Sequence, residues 1–166
     1  MDNLHAPWRI DYILAPKNPA PGRQSVFSEI AASSDDISNH VLARGKTCFA
    51  VLNAYPYSCG HSMVIPYRQV SDLTELTDAE LLESQHVLQR LQRAMRATMN
   101  PAGFNIGLNL GKVAGAGIVE HLHWHIVPRW EGDTNFMPVI GNTGVMPEAM
   151  LDVAAKIRAS LEAHGA

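Results

Sequence analysis

Basic charge is scarce in this chain: 13 lysines and arginines stand against 16 aspartates and glutamates, for a formal net charge of −3. A protein that grips a nucleic-acid backbone usually carries a basic face, so that class of partner is set aside. Cysteine is scarcer, with Cys48 and Cys59 the whole supply. A chain of 166 residues with 46% hydrophobic side chains can build a sizeable core without disulfides, so both are read as free thiols in a reducing cytoplasm. Apolar residues never run for 18 positions, which leaves no membrane span. Residues 1–16 also lack the basic start and unbroken apolar stretch of a secretion signal. One domain over residues 1–166 is the expectation.

What is present concentrates at residues 121–128, His-Leu-His-Trp-His-Ile-Val-Pro. Successive side chains of a strand point to opposite faces, so His121, His123 and His125 should line one face and Leu122, Trp124 and Ile126 the other. In a helix the three imidazoles would fan around the axis, and the β-branched Ile126 and Val127 also favour a strand. A lone histidine in a strand is usually a hydrogen-bonded or solvated side chain. Three in register, each backed by an apolar residue, read as chemistry on one face and core on the other.

Two chemistries compete for them. Residues i and i+2 of a strand lie about 6–7 Å apart, so His123 and a neighbour could share a metal, whereas the outer pair, about 13 Å apart, could not easily join them. The other reading is an imidazole nucleophile flanked by two supporting rings, which needs an anion cradle nearby. Residues 109–117, Asn-Leu-Gly-Lys-Val-Ala-Gly-Ala-Gly, offer one, since small residues let a phosphate approach backbone N–H groups. No Lys-Ser/Thr pair closes this loop and a strand follows it, so it is not a Walker loop.

The pattern His121, apolar, His123, apolar, His125, apolar, apolar resembles the signature of the histidine triad (HIT) family of nucleotidyl hydrolases and transferases. Asn53, Pro56 and the run Gly60-His61 to Pro66 are similar to that family's ribose-side strand pair, and Asn109 falls where the family has a polar active-site side chain. The flanks at residues 6–13 and 128–136 resemble its bacterial diadenosine tetraphosphate phosphorylase branch. The resemblance implies His123 as the nucleophile on an α-phosphorus, His125 as partner of the phosphate or bridging oxygen, and His121 as local support. It further implies Asn53 on the ribose, His61 in a supporting role, Asn109 with Gly115, Ala116 and Gly117 toward the phosphates, and a homodimer.

Departures from the family pattern matter as much. Many bacterial relatives hold a structural zinc with a Cys-x-x-Cys pair, a later histidine and the first triad histidine. Here those positions are Ser25, Ser28, Gln69 and His121. Hydroxyls and an amide are poor zinc ligands, so the structural zinc is predicted absent, with no cofactor required and Mg²⁺ admitted only as company for a substrate polyphosphate. Gly117 also stands where many family hydrolases carry a phosphate-contacting glutamine.

Local signals fill in the rest. Five prolines and glycines among residues 7–22 suggest an extended arm over residues 1–24. Residues 26–31 read as a short helix, Val41 to Ala43 and Thr47 to Leu52 as strands about an Arg44-Gly45-Lys46 turn, and Ser62 to Ile65 as a third strand. Thr77-Asp78-Ala79-Glu80 is a capping box opening a helix that reaches Met99, where Asn100-Pro101 stops it. Met150, Val153, Ile157 and Leu161 mark a C-terminal helix within residues 147–164. The sum is α+β with a HIT-like fold: an antiparallel sheet of about five strands, one long helix across it, and the histidine strand central.

The expected activity is cleavage of an adenosine polyphosphate such as diadenosine tetraphosphate through a nucleotidyl-His123 intermediate. Arg129, directly after the histidine strand, could hold an incoming phosphate with paired hydrogen bonds and so favour phosphorolysis. A HIT-type hydrolase of dinucleoside polyphosphates or nucleoside phosphoramidates is the alternative. A cupin-like metalloenzyme using His121 and His123 lacks a downstream acidic ligand, since Glu131 lies past Pro128. A nucleotide-binding module without catalysis would have no use for all three histidines.

Overall fold

The computed structural model describes residues 24–133, 146 and 148–163. The predicted N-terminal arm and the flank at 134–136 lie outside the described residues. In chain order the elements are α1 (Val26–Ala32), β1 (Val41–Arg44), β2 (Cys48–Leu52), β3 (Ser62–Pro66), α2 (Asp78–Met99), β4 (Gly103–Leu108), β5 (Trp124–Arg129) and α3 (Met150–Ala163). The five strands form one sheet in the order β1-β2-β3-β5-β4, and every pairing is antiparallel. The α+β fold with its histidine strand inside the sheet is therefore as expected. The C-terminal helix starts later, at Met150.

Both faces of the middle strands are covered. All five residues of β2 and of β3 are buried, which is why they read as continuous apolar runs with no alternation. On one face Cys48, Ala50, Leu52, Val64 and Ile126 pack against Leu88, Leu91 and Met95 of α2 and Val153, Ile157 and Leu161 of α3. On the other, Phe49, Val51, Met63 and Ile65 pack under Phe27 of α1. The second face carries all the histidines discussed below.

Helix α2 begins as its sequence promised. The Thr77 side chain accepts the Glu80 N–H while Glu80 returns a bond to Thr77, and Arg68 clasps the same carboxylate at 2.8 Å. That guanidinium holds the Glu80 carboxyl down to about 2. The helix ends at Asn100 in the left-handed region, φ 46°, directly before Pro101. His86 is exposed on this helix, as are Arg93 and Arg96.

One expectation fails. The strand does not begin at His121 but at Trp124, so His121 and His123 precede the regular ladder. The β3–β5 pairing runs Ser62↔Ile126, Met63↔His125, Val64↔Trp124 and then stops. Continuing it would oppose Leu122 with Pro66, which has no N–H to give. Instead the Leu122 N–H bonds the Val70 carbonyl at 2.7 Å, and the Pro66 carbonyl takes the His121 ring.

Candidate active site

The histidine segment is held from both sides of the chain. His121 is fully buried, and its Nε2–H donates to the Pro66 carbonyl at 2.8 Å. A carbonyl can only accept, so that proton sits on Nε2 and Nδ1 keeps a lone pair. The Ser25 hydroxyl, 2.5 Å from His121 Nδ1, must then be the donor. Burial pushes the His121 imidazolium pKa below 6.5, against the opposing pull of the Pro66 carbonyl.

His123 is fixed by the same logic. Its Nδ1 lies 2.8 Å from the His121 carbonyl oxygen, so Nδ1 carries the proton and Nε2 the lone pair. Burial, the largest influence, lowers its pKa as well and favours the neutral ring. The Phe27 ring packs 5.0 Å from it on one side and His125 4.9 Å on another, centroid to centroid.

A third chain of bonds sets His125. The Tyr57 N–H donates to His61 Nδ1 at 3.0 Å, which places the His61 proton on Nε2. That nitrogen lies 2.9 Å from His125 Nδ1, so His61 donates there and the proton of a neutral His125 sits on Nε2. Tyr57 stacks on His61 at 4.6 Å with the rings 12° apart. Gly60, just before His61, has φ 77°, and an added Cβ would sit 2.8 Å from the Met99 methyl. Asn53 stands beside His61, with its amide nitrogen 3.4 Å from Nδ1.

His123 and His125 form one wall of a cavity of about 160 Å³. The rest of its lining is mostly apolar: Val26, Phe27 and Ile30 from α1, Val51 and Leu52 from β2, Met63 from β3, and Ile118. Polar groups enter from Asn39, His40 and Asn53, with Tyr55 and Tyr57 on the loop after β2. An apolar cleft with a few convergent polar groups is the usual form of a small-molecule site.

Other predicted residues are placed differently. Gly115 and Gly117 line the cavity, whereas Ala116 is buried and is not part of the lining. The loop spends its own donors: Gly115 N–H bonds the Lys112 carbonyl and Ala116 N–H the Gly111 carbonyl, in a turn with Gly111 at φ 80° and Gly115 at φ 92°. Gly117 is the member of the trio whose N–H that turn leaves unused. Asn109 borders the loop, 3.9 Å from where a Gly115 Cβ would be, but does not line the cavity. Arg129 is not brought to the cavity either. Its guanidinium pairs with Asp133 at 2.5 and 2.9 Å and donates to the Asn105 side chain at 2.8 Å, so the predicted phosphate grip is already engaged.

Sequence reasoning missed the α1 wall and His40. Val26, Phe27 and Ile30 carried the spacing of an amphipathic helix face, a legible signal. His40 carried none: it adopts φ 55°, a strained conformation for histidine, and its Nδ1 is buried without a partner.

The four positions compared with a zinc site do converge. Ser25 N–H and Ser28 Oγ–H both donate to Gln69 Oε1, at 2.9 and 3.1 Å, and Ser25 Oγ bonds His121. Two hydroxyls, one amide oxygen and one imidazole nitrogen bonded to each other do not fit zinc. Among the described residues no three His, Cys, Asp or Glu side chains cluster as metal ligands.

Fold and site together define a protein built around a histidine cluster, two of whose members, His123 and His125, line a mostly apolar cleft. Residues 34–132 match the HIT domain family, and the chain belongs to it. It is 45% identical over 157 residues to the AP-4-A phosphorylase of Mycobacterium tuberculosis, covering 92% of this chain and 80% of that one. It is 34% identical over 97 residues to the asymmetrical bis(5'-nucleosyl)-tetraphosphatase of Schizosaccharomyces pombe, covering 58% of this chain and 53% of that one. Among solved structures, a zinc-bound histidine triad family protein from Mycobacterium smegmatis superposes with a TM-score of 0.66 at 27% identity, over 85% of this chain and 95% of that one.

Proposed function

We propose that this chain is a nucleotidyltransferase that cleaves dinucleoside polyphosphates of the diadenosine tetraphosphate kind at an α-phosphorus. The observation that carries the reading is the His123 tautomer: its Nδ1–H is spent on the His121 carbonyl, so Nε2 meets the cleft as a neutral nucleophile. Nε2 attacks the α-phosphorus, and the bond to the bridging oxygen breaks. His125 Nε2–H, set by His61, donates to that leaving oxygen. The acceptor then attacks the nucleotidyl-His123, which releases the imidazole. Gly117 N–H and Asn53 serve the phosphate and ribose sides, and losing one such oxyanion donor typically costs about 3 kcal/mol.

Phosphate as the acceptor rests on the likeness to the mycobacterial phosphorylase, since Arg129 is engaged elsewhere. Diadenosine tetraphosphate plus phosphate then yields ADP and ATP. The scheme requires no metal or organic cofactor, and Mg²⁺ enters only with the polyphosphate. Strand β4 is one edge of the sheet, and Ile106 on it is 46% exposed, which suits pairing with a second copy in a homodimer. The two buried free cysteines suit a reducing cytoplasm.

The test is turnover of diadenosine tetraphosphate with and without inorganic phosphate. Phosphate-dependent appearance of ADP and ATP supports the proposal. AMP and ATP formed at one rate in either buffer would make the chain a hydrolase, the activity named for the fission-yeast relative.

A further inference from the structure

The first turn of α1 is tied to the histidine segment more closely than packing alone requires. Ser25 is the N-cap of α1 and only 2% exposed. Its hydroxyl reaches His121 Nδ1 at 2.5 Å, and its N–H shares Gln69 Oε1 with the Ser28 hydroxyl. His121 is thereby bonded at both ring nitrogens, to Ser25 and to Pro66. From that clasp two contacts run on to His123. The His121 carbonyl accepts the Nδ1–H of His123, and Phe27, two residues beyond Ser25, sets its ring 5.6 Å from His121 and 5.0 Å from His123.

We infer that Ser25, Ser28 and Gln69 are positioning residues for His123, acting through His121 as a metal-free hydrogen-bonded clasp. The inference rests on His123 being the nucleophile. None of the three lines the cavity. What they fix is the placement of the His121 carbonyl, on which the orientation and tautomer of His123 depend. Without the Ser25 hydroxyl, His121 Nδ1 is a buried acceptor lacking its donor, and the ring is free to turn away from Pro66.

The test compares S25A, S25T, Q69M and H123A in the full chain. The measurements are steady-state turnover of diadenosine tetraphosphate, AMP binding by calorimetry, and the imidazole nitrogen spectrum by NMR. In S25A we expect kcat to fall roughly tenfold with KM and AMP affinity within about twofold, and the single Nδ1–H tautomer of His123 to become a mixture. S25T, which keeps the hydroxyl, should recover most of the loss. Gln69 is exposed, so Q69M tests the clasp without burying a defect, and a smaller fall of about two- to threefold in kcat is expected. Wild-type kcat in both S25A and Q69M overturns the clasp, as does a parallel loss of kcat and AMP affinity that S25T fails to rescue. Full turnover in H123A overturns the nucleophile assignment and the clasp's role with it.

Discussion

The two faces of the sheet are built on opposite terms. One is closed by the 22-residue α2 and by α3, through buried leucines, methionines and valines. The other is closed by the seven-residue α1, which contributes one buried side chain, Phe27, and holds on through serine, glutamine and histidine hydrogen bonds. Apolar packing fills space closely but offers no donors or acceptors. Hydrogen bonds of fixed direction add little net stability, about 0.5–1.5 kcal/mol each, yet they decide which nitrogen of each imidazole carries a proton. The apolar face supports, and the polar face is the one proposed to react.

That contrast breaks most visibly at His123. H123A should lower turnover by at least about a thousandfold while the melting temperature stays near wild type, because the residue belongs to the reacting face. Activity above a tenth of wild type would contradict it. L91A on the opposite face should do the reverse. It removes a side chain with no exposed surface, costing about 2–5 kcal/mol in denaturant unfolding, while the remaining folded protein keeps wild-type kcat.

Acid should act on one face first. Burial lowers the pKa values of His121 and His123 below 6.5, so the unfolded chain takes up protons before the folded one does. The stability that neutral histidines contribute is full above 6.5 and is lost as the pH falls below it, and the melting temperature should drop in that range. In the proposed mechanism neutral His123 is also the nucleophile, so the acid limb of kcat/KM should lie below 6.5. An acid limb above that value would mean the ring is not desolvated. The smallest expected effect is none: dialysis against a chelator should leave melting temperature and turnover unchanged, because Ser25, Ser28 and Gln69 are bonded to His121 and to one another. A drop of several degrees, reversed by zinc, would refute this.

Much of the stable face was legible in the chain. Thr77 and Glu80 spelled out the start of α2, Asn100-Pro101 its end, and the residues of β2 and β3 their strand character. Those signals are local, since a capping box or a period of side chains acts within a few residues. The sequence by itself also determined that three histidines would stand together and that resemblance alone could assign roles to them. Only the tertiary structure decided that His121 and His123 precede the strand, because the partner that ends the ladder, Pro66, lies 55 residues away. It likewise decided that Arg129 belongs to Asp133 and Asn105, that Gly115 and Ala116 spend their N–H groups within the glycine loop, and that α1 and His40 complete the cleft. Each of these outcomes is a competition between hydrogen-bond partners brought together by folding, and no local pattern records which partner wins.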